Sequence, residues 1–352
     1  MPGSPSHFTI LKNKLRREPL TWLVTGVAGF IGSHLLEELL GLDQHVVGLD
    51  NFATGHRGNV EDVLARTAAT RGSFRFIEAD IRDANACLRA CEGTDVVLHQ
   101  AALGSVPRSL LDPGLYHDVN VNGFVQLCIA ARDAGVRRFV YASSSAVYGD
   151  HPGLPKKEQS LGKPLSPYAL TKRAGEMYAE LFRASYGLEC VGLRYFNVFG
   201  RRQDPHSAYA AVIPRWVARL SRGEPCHIHG DGETTRDFCF IANVVQANLR
   251  AAVEPLDNGE QVFNVGLGGR TSLNELYRIL QHALARRWPD LARPQPVYDD
   301  FRPGDVRHSQ ADISRIRAAL RYEPTHTLAE GLEGTLEWYM KHLAGQPAAT
   351  AA

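Results

Sequence analysis

Gly26-Val27-Ala28-Gly29-Phe30-Ile31-Gly32 stands directly after the apolar, β-branched run Trp22–Thr25 and opens the helical pattern Ile31–Leu42. At a strand-to-helix turn the first glycine permits the tight bend and the second lets backbone approach a pyrophosphate. The third lets helix pack closely on strand, while the helix N-terminus attracts negative charge. Glycines at such turns also arise for structural reasons alone, so the motif gains its meaning from the neighbouring strand. Asp50 closes that next apolar run, His45–Leu49, at the separation of an acid that accepts hydrogen bonds from an adenosine ribose diol. A carboxylate there repels a 2′-phosphate, which favours NAD over NADP.

On either side of this motif, short β-branched runs alternate with longer helical patterns. Strands are predicted at Trp22–Thr25, His45–Leu49, Phe74–Glu78, Val96–His99, Phe139–Ser143 and Cys190–Tyr195, and helices at Ile31–Leu42, Asp83–Cys91, Val119–Ala134 and Tyr168–Tyr186. The fold class is α/β: a Rossmann-type doubly wound parallel sheet with a smaller, discontinuous C-terminal lobe. Residues 1–199 are expected to bind the dinucleotide, with a return at about 238–268 that includes a strand at Phe263–Val265. Residues 200–345 form mainly the second lobe, and 346–352 a flexible tail. Ligands of open α/β sheets sit at the carboxyl ends of strands. Asp80-Ile81 and Gln100-Ala101-Ala102 occupy such ends, although each is also compatible with a cap or a packing choice.

The 352 residues carry a formal net charge of +1, with 44% hydrophobic and 22% charged residues, an ordinary globular composition. No global basic field supports a nucleic-acid or anionic-membrane partner. No run has the length of a membrane span and the start lacks a signal peptide's apolar stretch, so a cytoplasmic protein is expected. Six cysteines without a CxxC pair read as reduced and structural. Fourteen histidines show no HExxH or clustered spacing, so no metal is expected, and His99 reads as loop architecture.

Tyr168 and Lys172 stand four apart at the start of a predicted helix, on one face. A cation near a phenol stabilises the phenolate and brings it into range for general base work. Such pairs are also common on ordinary helices. About twenty residues earlier, Ser143-Ser144-Ser145 leaves a predicted strand, so hydroxyls and phenol can converge at the sheet's carboxyl edge. Capping of the following turn is the plainer role for those serines.

These motifs, in this order, resemble the extended short-chain dehydrogenases/reductases that act on nucleotide sugars. The likeness runs from roughly Leu20 to Tyr339 and includes Tyr195-Phe196-Asn197-Val198-Phe199-Gly200, His229-Gly230-Asp231-Gly232 and Thr235-Arg236-Asp237-Phe238. Phe301-Arg302-Pro303-Gly304-Asp305-Val306-Arg307-His308-Ser309 is most similar to the bacterial UDP-N-acetylglucosamine 4-epimerases of polysaccharide and O-antigen pathways. The resemblance implies that Tyr168 takes the O4 proton while NAD receives hydride from C4. The 4-keto sugar then rotates and hydride returns to its other face. Lys172 would tune Tyr168 and hold the nicotinamide ribose, and Ser144, with Ser145 close behind, would share the proton. It further implies cofactor contacts at Gly26, Gly29, Phe30, Ile31, Gly32, Asp50, Asn51, Gly55, Asp80, Ile81, Gln100, Ala101, Ala102, Asn120, Ser143, Tyr195 and Val198. Substrate contacts are implied at Ser105, Asn197, Arg236, Arg302, Asp305 and Ser309, and a homodimer as the assembly.

For any one arginine a surface ion pair is the default, and the motifs single out Arg236 and Arg302 over Arg201 and Arg202. Ser309 is implied to set tolerance for a 2-N-acetyl group, the alternative being a cap for a short helix at Asp312–Leu320. The rival chemistries are nucleotide-sugar 4,6-dehydration and UDP-glucuronate epimerisation or decarboxylation. The dehydratases place an Asp-Glu pair where this chain has Ser145 and Ala146. A non-catalytic NAD-binding module is the rival from another class, opposed by intact Tyr168 and Lys172.

Overall fold

The computed structural model describes residues 6–205, 211–256, 261–301 and 306–344. In chain order its strands are β1 (Thr21–Thr25), β2 (His45–Asp50), β3 (Ser73–Glu78), β4 (Val96–His99), β5 (Arg138–Ser144), β6 (Cys190–Tyr195), β7 (Val198–Phe199), β8 (His227–His229), β9 (Thr235–Arg236), β10 (Cys239–Phe240), β11 (Val262–Val265), β12 (Thr271–Ser272) and β13 (Val297–Asp299). The helices are α1 (His7–Arg17), α2 (Phe30–Gly41), α3 (Arg57–Thr67), α4 (Ala84–Cys91), α5 (Val106–Leu111), α6 (Pro113–His117), α7 (Gly123–Asp133), α8 (Pro167–Tyr186), α9 (Val212–Ser221), α10 (Ile241–Val253), α11 (Leu273–Arg287), α12 (Ser314–Leu320) and α13 (Leu328–Ala344).

Seven strands form one parallel sheet in the order β11-β6-β5-β4-β1-β2-β3. The winding reverses between β1 and β4, and this switch point is where such sheets take their ligands. Parallel strands covered on both faces read as continuous apolar runs, as Trp22, Leu23 and Val24 of β1 do.

One core lies on the face that receives α2 and α10, and includes Trp22, Leu35, Val140 and Phe263. The other lies under α4, α7 and α8, and includes Leu23, Phe124, Phe139 and Phe182. A third, separate core joins Phe199, Trp216, Ile228, Leu280 and Tyr339 in the C-terminal part of the chain. The Tyr339 hydroxyl donates to the Gly200 carbonyl at 3.1 Å and ties the end of the chain to the exit of β7.

Local sequence explains the ends of these helices. Helix α2 starts at Gly29 with no side-chain cap, a loss of only about a few tenths of a kcal/mol for a glycine in that place. Burial of Leu35, Leu36, Leu39 and Leu40, each worth roughly 1.5–3 kcal/mol, outweighs it. Helix α8 starts with a Ser166 cap on the Ala169 N–H and Pro167 in its first turn, and ends at Gly187 with φ 72°. The predicted helix over Val119–Ala134 is a π-helical turn, Asp118–Asn122, running into α7. Helix α1 has no counterpart among the predicted elements. It is tethered by buried Gln44, whose amide donates to the Leu15 and Leu42 carbonyls while its oxygen accepts from Leu20 N and Trp22 Nε1.

All six cysteines are buried and unpaired. Among the described residues no helix is long and apolar enough to cross a membrane, and no three His, Cys, Asp or Glu side chains gather where they could hold a metal ion. The terminal stretch read as a tail lies outside the described residues.

Candidate active site

At the switch point, the turn after β1 and the turn after β4 touch. Gly26 has φ +66°, and a Cβ there would stand 2.8 Å from the Ala101 backbone nitrogen. A Cβ on Gly32 would stand 2.1 Å from the Gly26 carbonyl oxygen, and one on Gly55 would stand 2.9 Å from the Ala28 carbonyl carbon. Gly26 and Gly32 are therefore positions whose lack of a side chain the backbone requires. The motif puts the first-turn N–H groups of α2, at Phe30 and Ile31, which have no intrahelical acceptor, at the sheet's carboxyl edge.

Asp50, 7% exposed at the end of β2, accepts from Ala28 N at 2.9 Å and from Phe52 N at 2.8 Å, one bond on each carboxylate oxygen. Each oxygen keeps a lone pair for a ribose diol. Burial raises its pKa, and the backbone N–H groups of Phe52 and Ala28 pull it back. A glycine cradle, a helix N-terminus and an acid at the next strand's end fit a dinucleotide.

The remaining residues singled out for the cofactor divide between this cleft and its supports. Asn51 is exposed and donates to Asp80 at 2.8 Å; Asp80 also pairs with Arg82, which holds its carboxyl below the usual range. Ile81 is buried in the core under α4. Gln100 and Tyr195 meet through Asn248 of α10: Gln100 donates to Asn248 at 3.1 Å, Tyr195 donates to Gln100 at 3.0 Å, and Asn248 donates to Tyr195 at 2.9 Å. Asn120, in the π-helical turn, holds both backbone groups of Leu103 and donates to Thr171 Oγ1 at 3.1 Å. Its amide braces the turn after β4, beside Ala102, against α8. Val198 pairs with Cys239 in the small β7–β10 ribbon. The Ser143 hydroxyl donates to Glu176 at 2.6 Å inside the protein.

Tyr168, in the first turn of α8, lies edge-on to Tyr116 with ring centroids 6.4 Å apart. Burial raises its pKa above the ordinary value of a phenol, and a hydrogen bond with the Ser144 hydroxyl pulls it back. Lys172 Nζ donates to the Ala142 carbonyl at 2.8 Å, and burial pushes its pKa down to about 8. Among the influences on the phenol, burial is the largest, and the Lys172 ammonium beside it is anchored on the strand end. Ser144 also accepts from Ala146 N at 3.1 Å, so it caps the turn and faces the phenol at once; Ser145 opens the short 3-10 turn that comes next.

On the substrate side, Ser105 caps α5 through the Arg108 N–H, and its own N–H donates to the Tyr116 hydroxyl at 3.0 Å. Asn197 has φ 24° and donates to the Asp237 carbonyl at 3.2 Å. Arg236 in β9 donates to the Arg307 carbonyl at 3.3 Å, and Ser309 N donates to the Thr235 carbonyl at 3.1 Å. This places Arg236 and the 307–309 segment side by side. Helix α12 begins at Ser314, held by Asp312, and Ser309 does not cap it. Arg302 and Asp305 lie outside the described residues. Arg202 pairs with Glu37 and Asp62 but is buried, not at the surface as the default reading of an arginine has it.

Sequence reading passed over four supports of this site: Tyr116, Glu176, Asn248 and Asp237. Asp237 is 1% exposed and accepts from Leu267, Gly268 and Ala311, joining three segments beneath Arg236. An acid set between Arg236 and the apolar Phe238 was the available signal.

Buried His99 shares a 2.7 Å hydrogen bond with Thr25 Oγ1, and Thr25 Oγ1 accepts from Ala101 N at 3.3 Å, joining the ends of β1 and β4. Burial, and secondarily the Lys172 charge, push the His99 pKa down to about 3 from 6.5. Between these values the unfolded chain holds a proton that the folded chain does not, so stability falls as pH drops below about 6.5. The slope is up to about 1.4 kcal/mol per pH unit for one such group. His34, shifted the same way by burial and Arg202, adds to it. Denaturant titrations from pH 7 to 4 are expected to give a shallower decline for His99→Asn than for the unaltered protein. Equal slopes would mean that His99 is protonated in the fold.

A model of the NAD dependent epimerase/dehydratase family matches residues 22–266. The chain is 41% identical to the UDP-glucose 4-epimerase of Mycolicibacterium smegmatis over 90% of its own length and 97% of that protein's. Among solved structures it is similar to the UDP-N-acetylglucosamine 4-epimerase from Methanobrevibacter ruminantium M1 in complex with UDP-N-acetylmuramic acid. That match has a TM-score of 0.84 and 36% identity, covering 92% of this chain and 99% of the other. The UDP-glucose 4-epimerase of Thermus thermophilus in complex with NAD matches with a TM-score of 0.79 and 34% identity, covering 91% and 99%.

Proposed function

The chain belongs to the NAD-dependent epimerase/dehydratase family, and from that premise we propose that it interconverts UDP-N-acetylglucosamine and UDP-N-acetylgalactosamine by inverting C4. In class it is an NAD-dependent UDP-sugar 4-epimerase. The observation that carries the chemistry is the grouping of Tyr168, Ser144 and Lys172 at the carboxyl end of β5, beside the glycine cradle.

Tyr168 removes the proton from O4 of the sugar and later returns it. Its enclosure keeps water from the phenol, and the Ser144 hydroxyl beside it relays the proton and steadies the oxygen that loses it. Lys172, anchored on the Ala142 carbonyl, keeps two further N–H donors for the nicotinamide ribose. NAD, when bound, supplies the hydride acceptor for C4 and gives the hydride back, so the sugar undergoes no net oxidation. The diphosphate is gripped by Arg236 and Arg302, whose planar forks suit phosphate oxygens, and Asp305 accepts from a uridine ribose hydroxyl. Asn197 and Ser105 complete the sugar site. Residues 1–199, with about 238–268, hold the cofactor, and 200–345 mainly hold the UDP-sugar. The protein acts in the cytoplasm as a homodimer, in polysaccharide synthesis.

Two things support the N-acetylated pair: the Phe301–Ser309 motif, and the small side chain of Ser309 beside Arg236. The Methanobrevibacter relative's name points the same way. The Mycolicibacterium relative's name supports UDP-glucose and UDP-galactose as a second pair. Dehydration lacks its acid and base at Ser145 and Ala146.

The test is to incubate the purified protein separately with UDP-N-acetylglucosamine, UDP-glucose and UDP-glucuronate and to resolve the products. UDP-N-acetylgalactosamine is the expected main product; turnover of UDP-glucuronate alone would replace this reading. In Ser309→Tyr the ring fills the acetamido space. Overpacking of roughly 1–3 kcal/mol lowers efficiency on UDP-N-acetylgalactosamine about ten- to hundredfold relative to UDP-galactose. An unchanged ratio would remove Ser309 as the selector, even if both activities fell.

A further inference from the structure

Helix α8 presents Tyr168, Lys172 and Glu176 at intervals of four residues, so the three share one stripe of the helix. Each meets one of three neighbouring positions at the end of β5. Tyr168 meets the Ser144 hydroxyl, Lys172 donates to the Ala142 carbonyl at 2.8 Å, and Glu176 accepts from the Ser143 hydroxyl at 2.6 Å. The first two contacts belong to the reaction. The third has no part in it, yet it is the most enclosed, with Ser143 and Glu176 each 3% exposed.

Glu176 is itself held. Arg194 of β6, directly opposite Ser143 in the sheet register, donates to both its oxygens, Nε at 2.7 Å and Nη2 at 2.8 Å. Arg173 adds a bond to Oε2 at 2.9 Å. With its remaining N–H groups Arg194 reaches the Tyr148 hydroxyl at 3.1 Å and the Glu158 carbonyl at 2.8 Å, and its guanidinium lies 5.0 Å from the Tyr148 ring centroid. Tyr148 closes the turn that Ser145 opens, and its hydroxyl donates to Asn264 of β11 at 2.6 Å. The carboxylate stays ionised: burial opposes its charge, but Arg194, Ser143 and Arg173 together carry its pKa below the usual value.

We infer that Glu176 is a positioning residue for the reaction: by clamping Ser143 to Arg194 it sets the end of β5 so that Ser144 meets the Tyr168 phenol. This rests on the reading of Tyr168 as the acid–base group. A fully hydrogen-bonded buried pair has one geometry available to it, and it adds a hold on a strand end whose pairing with β4 stops at Tyr141 and continues to Ser144 only along β6. Displacement of a reacting group by about 1 Å costs as much as 10²-fold in rate, so loosening this rung lowers turnover while the substrate's binding contacts elsewhere remain.

Glu176→Gln leaves Arg194 without its counter-charge and risks unfolding, so Ser143→Ala is the decisive variant. It deletes one hydroxyl and leaves the Glu176–Arg194 pair in place. In the NAD-loaded enzyme, kcat is expected to fall about tenfold, while KM for the UDP-sugar and the bound NAD per chain stay within about twofold. Unchanged kcat with only a lowered melting temperature would overturn the inference, as would equal losses in KM and NAD content. Tyr168→Phe run in parallel separates the two claims. If it retains turnover, the acid–base reading fails; if it loses turnover while Ser143→Ala does not, only the positioning role fails.

Discussion

Tyr168→Phe is expected to fold, to carry NAD and to bind UDP-sugar, while turning it over about 10²–10⁴-fold more slowly, the usual contribution of a positioned acid–base group. The substitution keeps the ring, and with it the edge-on contact to Tyr116 at 6.4 Å. It removes only the hydroxyl, whose ionisation Ser144 favours and burial opposes. Ser144 cannot take over, because an isolated serine hydroxyl holds its proton far more tightly than a phenol. The measurement is product formed per bound NAD, taken with melting temperature and the released dinucleotide as controls on folding and loading. Turnover near that of the unaltered enzyme would take Tyr168 out of the reaction.

Gly32→Ala is the second large effect, and it acts on the cofactor instead of the substrate. The added carbon would lie 2.1 Å from the Gly26 carbonyl oxygen, 2.7 Å from its carbon and 2.9 Å from Val27 Cα. All three are backbone atoms and cannot rotate aside, so the turn itself must open, at a cost of about 1–3 kcal/mol or more. The same movement displaces the first-turn N–H groups proposed to receive the pyrophosphate. The variant should therefore be purified with little NAD, read as dinucleotide released per chain on denaturation, and should melt earlier. Gly41→Ala is the control on the same helix. A Cβ there meets nothing within 4 Å, and alanine's helix propensity favours it by up to about 1 kcal/mol. Full NAD content in Gly32→Ala would mean that the turn does not hold the cofactor as described.

The strands of the large sheet and the glycine turn were legible because they rest on local rules: apolar runs for buried parallel strands, glycine where backbone meets backbone, an acid at the end of β2. What stayed hidden depends on which residues the sheet brings opposite each other. Arg194 in the apolar run Cys190–Tyr195 was a visible irregularity, since a charge in a buried strand needs a partner. That partner, Glu176, comes eight residues after Tyr168 on the same stripe, a spacing that could have been read. Ser143 and Ser144 look equivalent in sequence, but strand alternation sends one hydroxyl to Glu176 inside the protein and the other to Tyr168. The helix α1 escaped notice because its polar sequence carries only Phe8, Leu11 and Leu15 as an apolar face, and Gln44, distant in sequence, fastens it. Ser309 next to Asp312–Leu320 suggested a cap, and the position of Ser314 and Asp312 removes that alternative.

The order of strands in the sheet also bears on how the chain comes off the ribosome. Six of the seven strands have been synthesised once Tyr195 has emerged, but the outer edge of β6 is covered only by β11, at Val262–Val265. At ~5–20 residues per second the nascent chain therefore spends seconds with an apolar strand edge exposed, the feature that most invites pairing with a neighbouring chain. The third core waits longer still, because Phe199 and Tyr339 belong to the same cluster. The length of chain between β6 and β11 thus sets how long this edge waits for its partner strand during synthesis.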